Sequence, residues 1–330
     1  MTKYLALALV LAACTLRKEP QPREAPPVIA SGSGVGSAKP VDPPATKPKE
    51  PPPYALAADV SEPIRTAITA TDRSIDDRML DAGRMPGEVL TFFKLAPGQK
   101  VGELFAGGGY TTELMARVVG ETGKVWAQNT TEVLERFARK PWTERATKPV
   151  MKNVVGVERP TDDPFPPEAT GLDLVITILN YHDFVWQKAD TAKLNKAVFA
   201  ALAPGGIYAI VDHSAQKNSG TRDTETLHRI DEDVVKKEVL EAGFELDGES
   251  EVLRHPDDPR DWNTSPRNAG DKRGTSDRFT LRFVKPHAPP ASSEPADTKV
   301  PATAGAKAPA KAGAKAGAKA SPPKTSPKKE

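Results

Sequence analysis

Between Val101 and Gly120 the chain reads VGELFAGGGYTTELMARVVG, and its hydrophobic positions change period partway along. Val101 to Leu104 form a short run that predicts the end of a buried strand. Beyond it, Leu114, Met115, Val118 and Val119 recur at the spacing of one helical face. Between the two lie an acid, Glu103, and three successive glycines, Gly107, Gly108 and Gly109. Glycine serves where the backbone must take positive φ or approach a ligand closely. The first turn of a helix presents free N–H groups suited to a carboxylate or phosphate. The segment therefore predicts a strand–loop–helix unit of the nucleotide-ligand type in an α/β sheet. Upstream, Asp72 to Arg78 (DRSIDDR) precedes Met85 to Leu90 and predicts a charged helix. Ion pairs at i,i+4 on a solvated face explain it better than a lid over a ligand pocket.

The pattern disappears at both ends. Residues 15–56 are rich in Pro, Ala, Gly and Ser, and residues 286–330 are an Ala/Lys/Pro/Gly near-repeat, AKAGAKAGAKA. Such composition cannot bury a core, so both stretches are expected to be disordered. A single domain over 57–285 remains, long enough for a sheet covered on both faces. The net charge of +2 hides an asymmetry. The tails hold 15 basic and 7 acidic residues, which leaves the body with 31 basic against 37 acidic, a net of −6. An acidic body is a poor partner for nucleic acid. Lys307, Lys311, Lys315 and Lys319 recur every fourth residue, but interleaved glycines argue against a helix. They predict a cationic spacer, with anionic envelope polymers or lipid headgroups as a second choice of role.

The one cysteine, Cys14, ends the run Leu11-Ala12-Ala13-Cys14, after Lys3 and an apolar stretch from Tyr4 to Val10. A charged start, a short apolar core and small residues before the cut make a secretory signal over 1–14, too short to span a bilayer. With Cys at the cleavage point it resembles the lipobox of bacterial lipoproteins, whose Cys carries the lipid. The expectation is a membrane-anchored protein of the cell envelope, facing the periplasm.

The glycine loop lacks the dinucleotide fingerprint, because position 112 is Thr. It also lacks the Gly-Lys-Ser/Thr of a phosphate-binding loop. An acid at a strand end followed by AGGGY resembles the first motif of class I S-adenosylmethionine-dependent methyltransferases. Other stretches fit the same resemblance. Gly123 to Ala127 is similar to that family's second strand, and Gly171 to Ile176 to its fourth. Leu202 to Ile207 is similar to the turn before its fifth strand, and Phe279 to Val284 to its last, antiparallel strand. The closest likeness is to bacterial predicted methyltransferases that often carry export signals. The phrases shared with them are Trp126 to Asn129, Leu179 to Phe184, Val211 to His213, Leu227 to Asp231 and Thr275 to Phe279.

The resemblance implies a doubly wound, Rossmann-like sheet of seven mostly parallel strands, with S-adenosylmethionine as cofactor. It implies that Glu103 and the Gly107–Gly109 backbone hold the methionine end of that cofactor. Where the family places an acid on the ribose, this chain has Asn129, an uncharged partner that is equally an ordinary turn residue. Asp162 would face adenine, although an Asx-turn before Pro164 explains it slightly better. Asn180, His182 and Asp183, in the loop after the fourth strand, are the candidates for the reacting end, with Asn180 on the cofactor. Methyl transfer is an in-line displacement that needs a base only where the acceptor carries a proton. His182 titrates in the useful range and Asp183 could orient it. Its three roles, catalytic, structural or metal ligand, stay open, with His213 and His228 as possible neighbours, and no metal is assigned. The expected activity is methyl transfer to a small-molecule or envelope acceptor. The alternative is an exported, non-catalytic binding lipoprotein that keeps the fold. A nicotinamide oxidoreductase is disfavoured by Thr112 and by the terminal antiparallel strand.

Overall fold

The computed structural model describes residues 50–287. Cys14, the signal segment, most of the Pro-rich stretch and the basic tail lie outside the described residues. Seven strands form one sheet: β1 Lys100–Leu104, β2 Lys124–Asn129, β3 Val154–Glu158, β4 Leu172–Ile178, β5 Leu202–His213, β6 Glu245–Glu249 and β7 Arg278–Val284. Their order is β3-β2-β1-β4-β5-β7-β6, with β7 antiparallel to both neighbours and the first five parallel. This is the expected doubly wound, Rossmann-like fold.

Period-two alternation sends each strand's side chains to opposite faces. In β5, Ile207, Ala209 and Val211 enter one core layer, whereas Tyr208 and Ile210 enter the other. The first layer is covered by α1 Glu62–Thr69, α3 Pro86–Phe92 and α4 Tyr110–Val119, while α2 Ile75–Arg84, between α1 and α3 in the chain, buries only Asp77 and Asp81. After β2 comes a helical stretch made of α5 Thr131–Val133, a π-turn Leu134–Ala138 and α6 Arg139–Ala146. The second layer is covered by α7 Tyr181–Trp186, α8 Thr191–Ala201 and α9 Glu232–Glu241. In α4, Leu114, Met115, Val118 and Val119 are all buried, as their spacing predicts.

Two expectations need correction. The packed body begins upstream of residue 57. The Tyr54 hydroxyl donates to Glu88 (2.6 Å) and accepts from the Gly87 amide (2.8 Å), and the Ala57 amide donates to Glu88 (3.0 Å). The charged stretch 72–78 is also not a solvated ion-pair helix. Arg73 and Asp77 are buried, as is Asp81 further along α2. Arg73 grips Asp81 with two hydrogen bonds (2.7 and 2.8 Å), and Arg145 of α6 does the same to Asp77 (2.7 and 2.9 Å). The spacing of charges alone cannot tell a wet face from one tied to a distant helix.

Candidate active site

In an open α/β sheet a ligand crevice forms beyond the carboxyl ends of the strands, where the strand order reverses. Here the reversal lies between β1 and β4, which are adjacent although β2 and β3 come between them in the chain. Each strand is followed directly by a non-glycine residue in the left-handed region, Phe105 at φ 49° and Leu179 at φ 62°. Such residues cost of order 1–3 kcal/mol each and collect where structure serves a ligand. Asn180 ties the two ends together, donating to the carbonyls of Phe105 (3.3 Å) and Ile178 (2.8 Å).

Glu103 lies at this crevice, 4 % exposed, and accepts a hydrogen bond from the Thr112 hydroxyl. Burial pushes its carboxyl up to about 7, although Thr112 and the charges of Arg84 and Arg145 pull the other way. Gly109 caps α4 at φ 83°, and a Cβ there would stand 2.8 Å from the Arg145 side chain. Arg145 donates to the Gly108 carbonyl (2.6 Å), so α6 rests directly on the loop. Asn129 turns its amide onto Gly107, accepting from its N–H (2.8 Å) and donating to its carbonyl (3.3 Å). Glu103, the three glycines, Asn129 and Asn180 are thus brought together. Asp162 is not with them. It pairs with Lys193 of α8 (2.9 Å), whose hydrogen bond and then charge lower its pKa, in the loop after β3.

Next to the glycine loop is a narrow cleft lined by Arg84, Tyr110, Leu179, Val211, Leu253 and Arg278 among others. Arg84 stacks on the Tyr110 ring at 4.4 Å and has no hydrogen-bonded partner among the described residues. Burial, ahead of repulsion from Arg273, lowers its pKa. Sequence reasoning missed this residue. Its signal in the chain is that of an ordinary basic residue in the last turn of a helix.

Beyond Asn180, His182 and Asp183 open α7. His182 is 3 % exposed, and Asp212 at the end of β5 holds both its backbone N–H and its ring Nδ1, each at 2.7 Å. The orienting carboxylate of the ring Nδ1 is therefore Asp212. Asp183 stands on the other ring nitrogen, 3.3 Å from Nε2, and also accepts from the Trp186 indole (2.6 Å). Burial opposes protonation of His182, but Asp212 and Asp183 outweigh it and push its pKa up to about 10. With no cation beside it His182 therefore holds its proton near neutral pH and donates rather than acts as a base, contrary to the titration expected of it. His213 goes the opposite way. Burial, then the neighbouring His182 charge, drives its pKa well below the usual value, and its Nδ1 pairs with Ser276 (2.8 Å). The neutral imidazole facing this site is His213. His228 completes the group, with its Nδ1 3.3 Å from His182 Nε2.

No family model matches the chain, and no curated protein matches it. Among solved structures it is similar to an S-adenosylmethionine-dependent methyltransferase from Aquifex aeolicus, at 19% identity and TM-score 0.45 over 60% of this chain and 88% of that one. It is also similar to an S-adenosylmethionine-dependent O-methyltransferase from Thermotoga maritima, at 16% identity and TM-score 0.40 over 70% and 73% of the two chains. A third is fibrillarin from Aeropyrum pernix with natively bound S-adenosylmethionine, at 13% identity and TM-score 0.37 over 58% and 68%.

Proposed function

We propose that the chain is an S-adenosylmethionine-dependent methyltransferase acting on a small-molecule or cell-envelope acceptor, held at the membrane by a lipid on Cys14. One observation carries this. At the crevice where the strand order reverses, a buried acid, Glu103, and a partly buried guanidinium, Arg84, with no hydrogen-bonded partner among the described residues, lie within electrostatic reach of one another. That pair matches the ammonium and carboxylate of an amino-acid end group, and methionine supplies one in this cofactor. The Gly107–Gly109 loop allows close backbone approach, and the first turn of α4 adds its free N–H groups.

When bound, the cofactor supplies an electrophilic methyl group. What the chain contributes is alignment. Asn180 would fix the geometry of the two loops. Neutral His213 would accept a hydrogen bond from an acceptor hydroxyl or amine and so orient it. Asp162, engaged with Lys193, has no part in this scheme.

A second reading is an exported module that binds without turnover. It is favoured by Asn129, whose amide is spent on Gly107, and by the lipobox, which directs the chain away from the cytoplasm where the cofactor is made. Incubation with cofactor carrying a labelled methyl group and an envelope extract separates the two. The enzyme transfers label to an extract component, and the Glu103→Ala variant falls at least tenfold below it. Binding of cofactor with no transfer under any extract supports the module.

A further inference from the structure

We infer that His182, Asp183 and His228 form a binding site for a single divalent transition-metal ion of the zinc type. The three ligating atoms are His182 Nε2, Asp183 Oδ1 and His228 Nδ1. Their separations are 3.3 Å between the two imidazole nitrogens, 3.3 Å from His182 to Asp183 and 3.5 Å from His228 to Asp183. Three ligands bound at about 2.0–2.1 Å around a tetrahedral ion stand about 3.4 Å apart. A facial octahedral set would draw them closer, to about 3.0 Å. The near-equilateral triangle is therefore of tetrahedral size, with one position left for water.

The surroundings have the form that metal sites require. Metal-bound histidines hand their other ring nitrogen to a carboxylate, which fixes the ring and strengthens the donor. Asp212, fully buried, does this for His182 at 2.7 Å and clamps the same residue's backbone N–H. The Trp186 indole donates to Asp183 Oδ1 itself, fixing the carboxylate and leaving that oxygen's second lone pair for the ion. His228 is presented from a left-handed residue at φ 51°, with its carbonyl held by the Thr264 hydroxyl at 2.7 Å. Charge gives an independent argument. Asp183 and Asp212 are two largely buried carboxylates, and among the described residues neither pairs with a Lys or Arg; their only ion-pair partners are His182 and His228. A divalent cation on Nε2 displaces the proton that His182 otherwise holds there and brings one more positive charge to the two carboxylates. His182 closes the inner side of the triangle, while the Asp183 and His228 side chains are 21% and 25% exposed, so the open position faces outward. On the methyl-transfer reading, and resting on it, this ion is a Lewis acid placed beside the cofactor crevice.

The test needs neither cofactor nor acceptor. The full chain, purified without an affinity tag and stripped with a chelator, is titrated with Zn²⁺ and in parallel with Co²⁺. The expected result is one tightly held ion per chain and the visible absorption of tetrahedral Co²⁺. The variants His228→Ala and Asp183→Asn should each weaken binding roughly a hundredfold or more, with far-ultraviolet dichroism unchanged. His228 lies in a loop and Asn can still accept from Trp186, so both variants should fold. Absence of a stoichiometric ion in the folded wild type overturns the proposal. So does equal binding in wild type and His228→Ala, which would place the ion on Cys14 or elsewhere. Loss of S-adenosylmethionine binding would leave the zinc result standing, so the two readings fail separately.

Discussion

Glu103 concentrates the site's electrostatics in one side chain. Its carboxyl is raised to about 7 by burial, from an ordinary 4.5. The folded chain thus holds this proton over a pH range in which the unfolded chain has released it. Stability from this group is greatest below about pH 4.5 and is lost as pH climbs through 7, by about 3 kcal/mol in all. Glu103→Gln keeps a partner for Thr112 and removes the titration. Thermal melts between pH 5 and 8 should show the wild type losing stability relative to the variant as pH rises; parallel curves would refute the shift. Gly109 is the second residue-scale control. Its φ of 83° and the 2.8 Å approach to Arg145 leave no room for a methyl group. Gly109→Ala should cost at least 1 kcal/mol in urea unfolding and displace α6 from the loop. A neutral substitution would mean that Arg145 moves aside freely.

The helices around the loop are joined by buried charges rather than by apolar packing alone. Arg73 and Asp81 face each other at 1% and 7% side-chain exposure, and Tyr110 adds a hydrogen bond to Asp81 at 2.7 Å. Removing one partner of such a pair leaves an uncompensated buried charge, so Arg73→Ala should destabilise the chain by about 3–5 kcal/mol. Chemical unfolding measures this, and a loss below 1 kcal/mol would mean that water reaches Asp81. The same charges explain what the sequence hides at this scale. Asp77 and its partner Arg145 are 68 residues apart, so no local spacing reveals that α2 is fastened across the loop. Strand β6 is silent for another reason. As an edge strand with mostly exposed residues it has no alternating apolar face, and only its pairing with β7 defines it. Strands β1, β2, β4 and β7 are buried enough to write themselves into the composition, and α4 shows the same clarity through its 3.6-residue stripe.

For the molecule as a whole, the crevice was legible because Glu103 and the glycines are contiguous in the chain. The meeting of His182, Asp212 and His228 was not, since it depends on the start of α7, the end of β5 and a later loop coming to one end of the sheet. No helix among the described residues is long and apolar enough to cross a membrane. The attachment proposed above is through a lipid on Cys14. Cells expressing the full chain and fed an alkyne-tagged fatty acid should label the protein, and Cys14→Ser should abolish the label. Persistent labelling in that variant would place the lipid elsewhere, and an unlabelled wild type would refute the anchor. The most direct test of the central claim is calorimetric titration of the full chain with S-adenosylmethionine and S-adenosylhomocysteine. The account predicts micromolar binding that disappears in a folded Glu103→Ala variant. A folded wild-type protein that binds neither compound at millimolar concentration would contradict it.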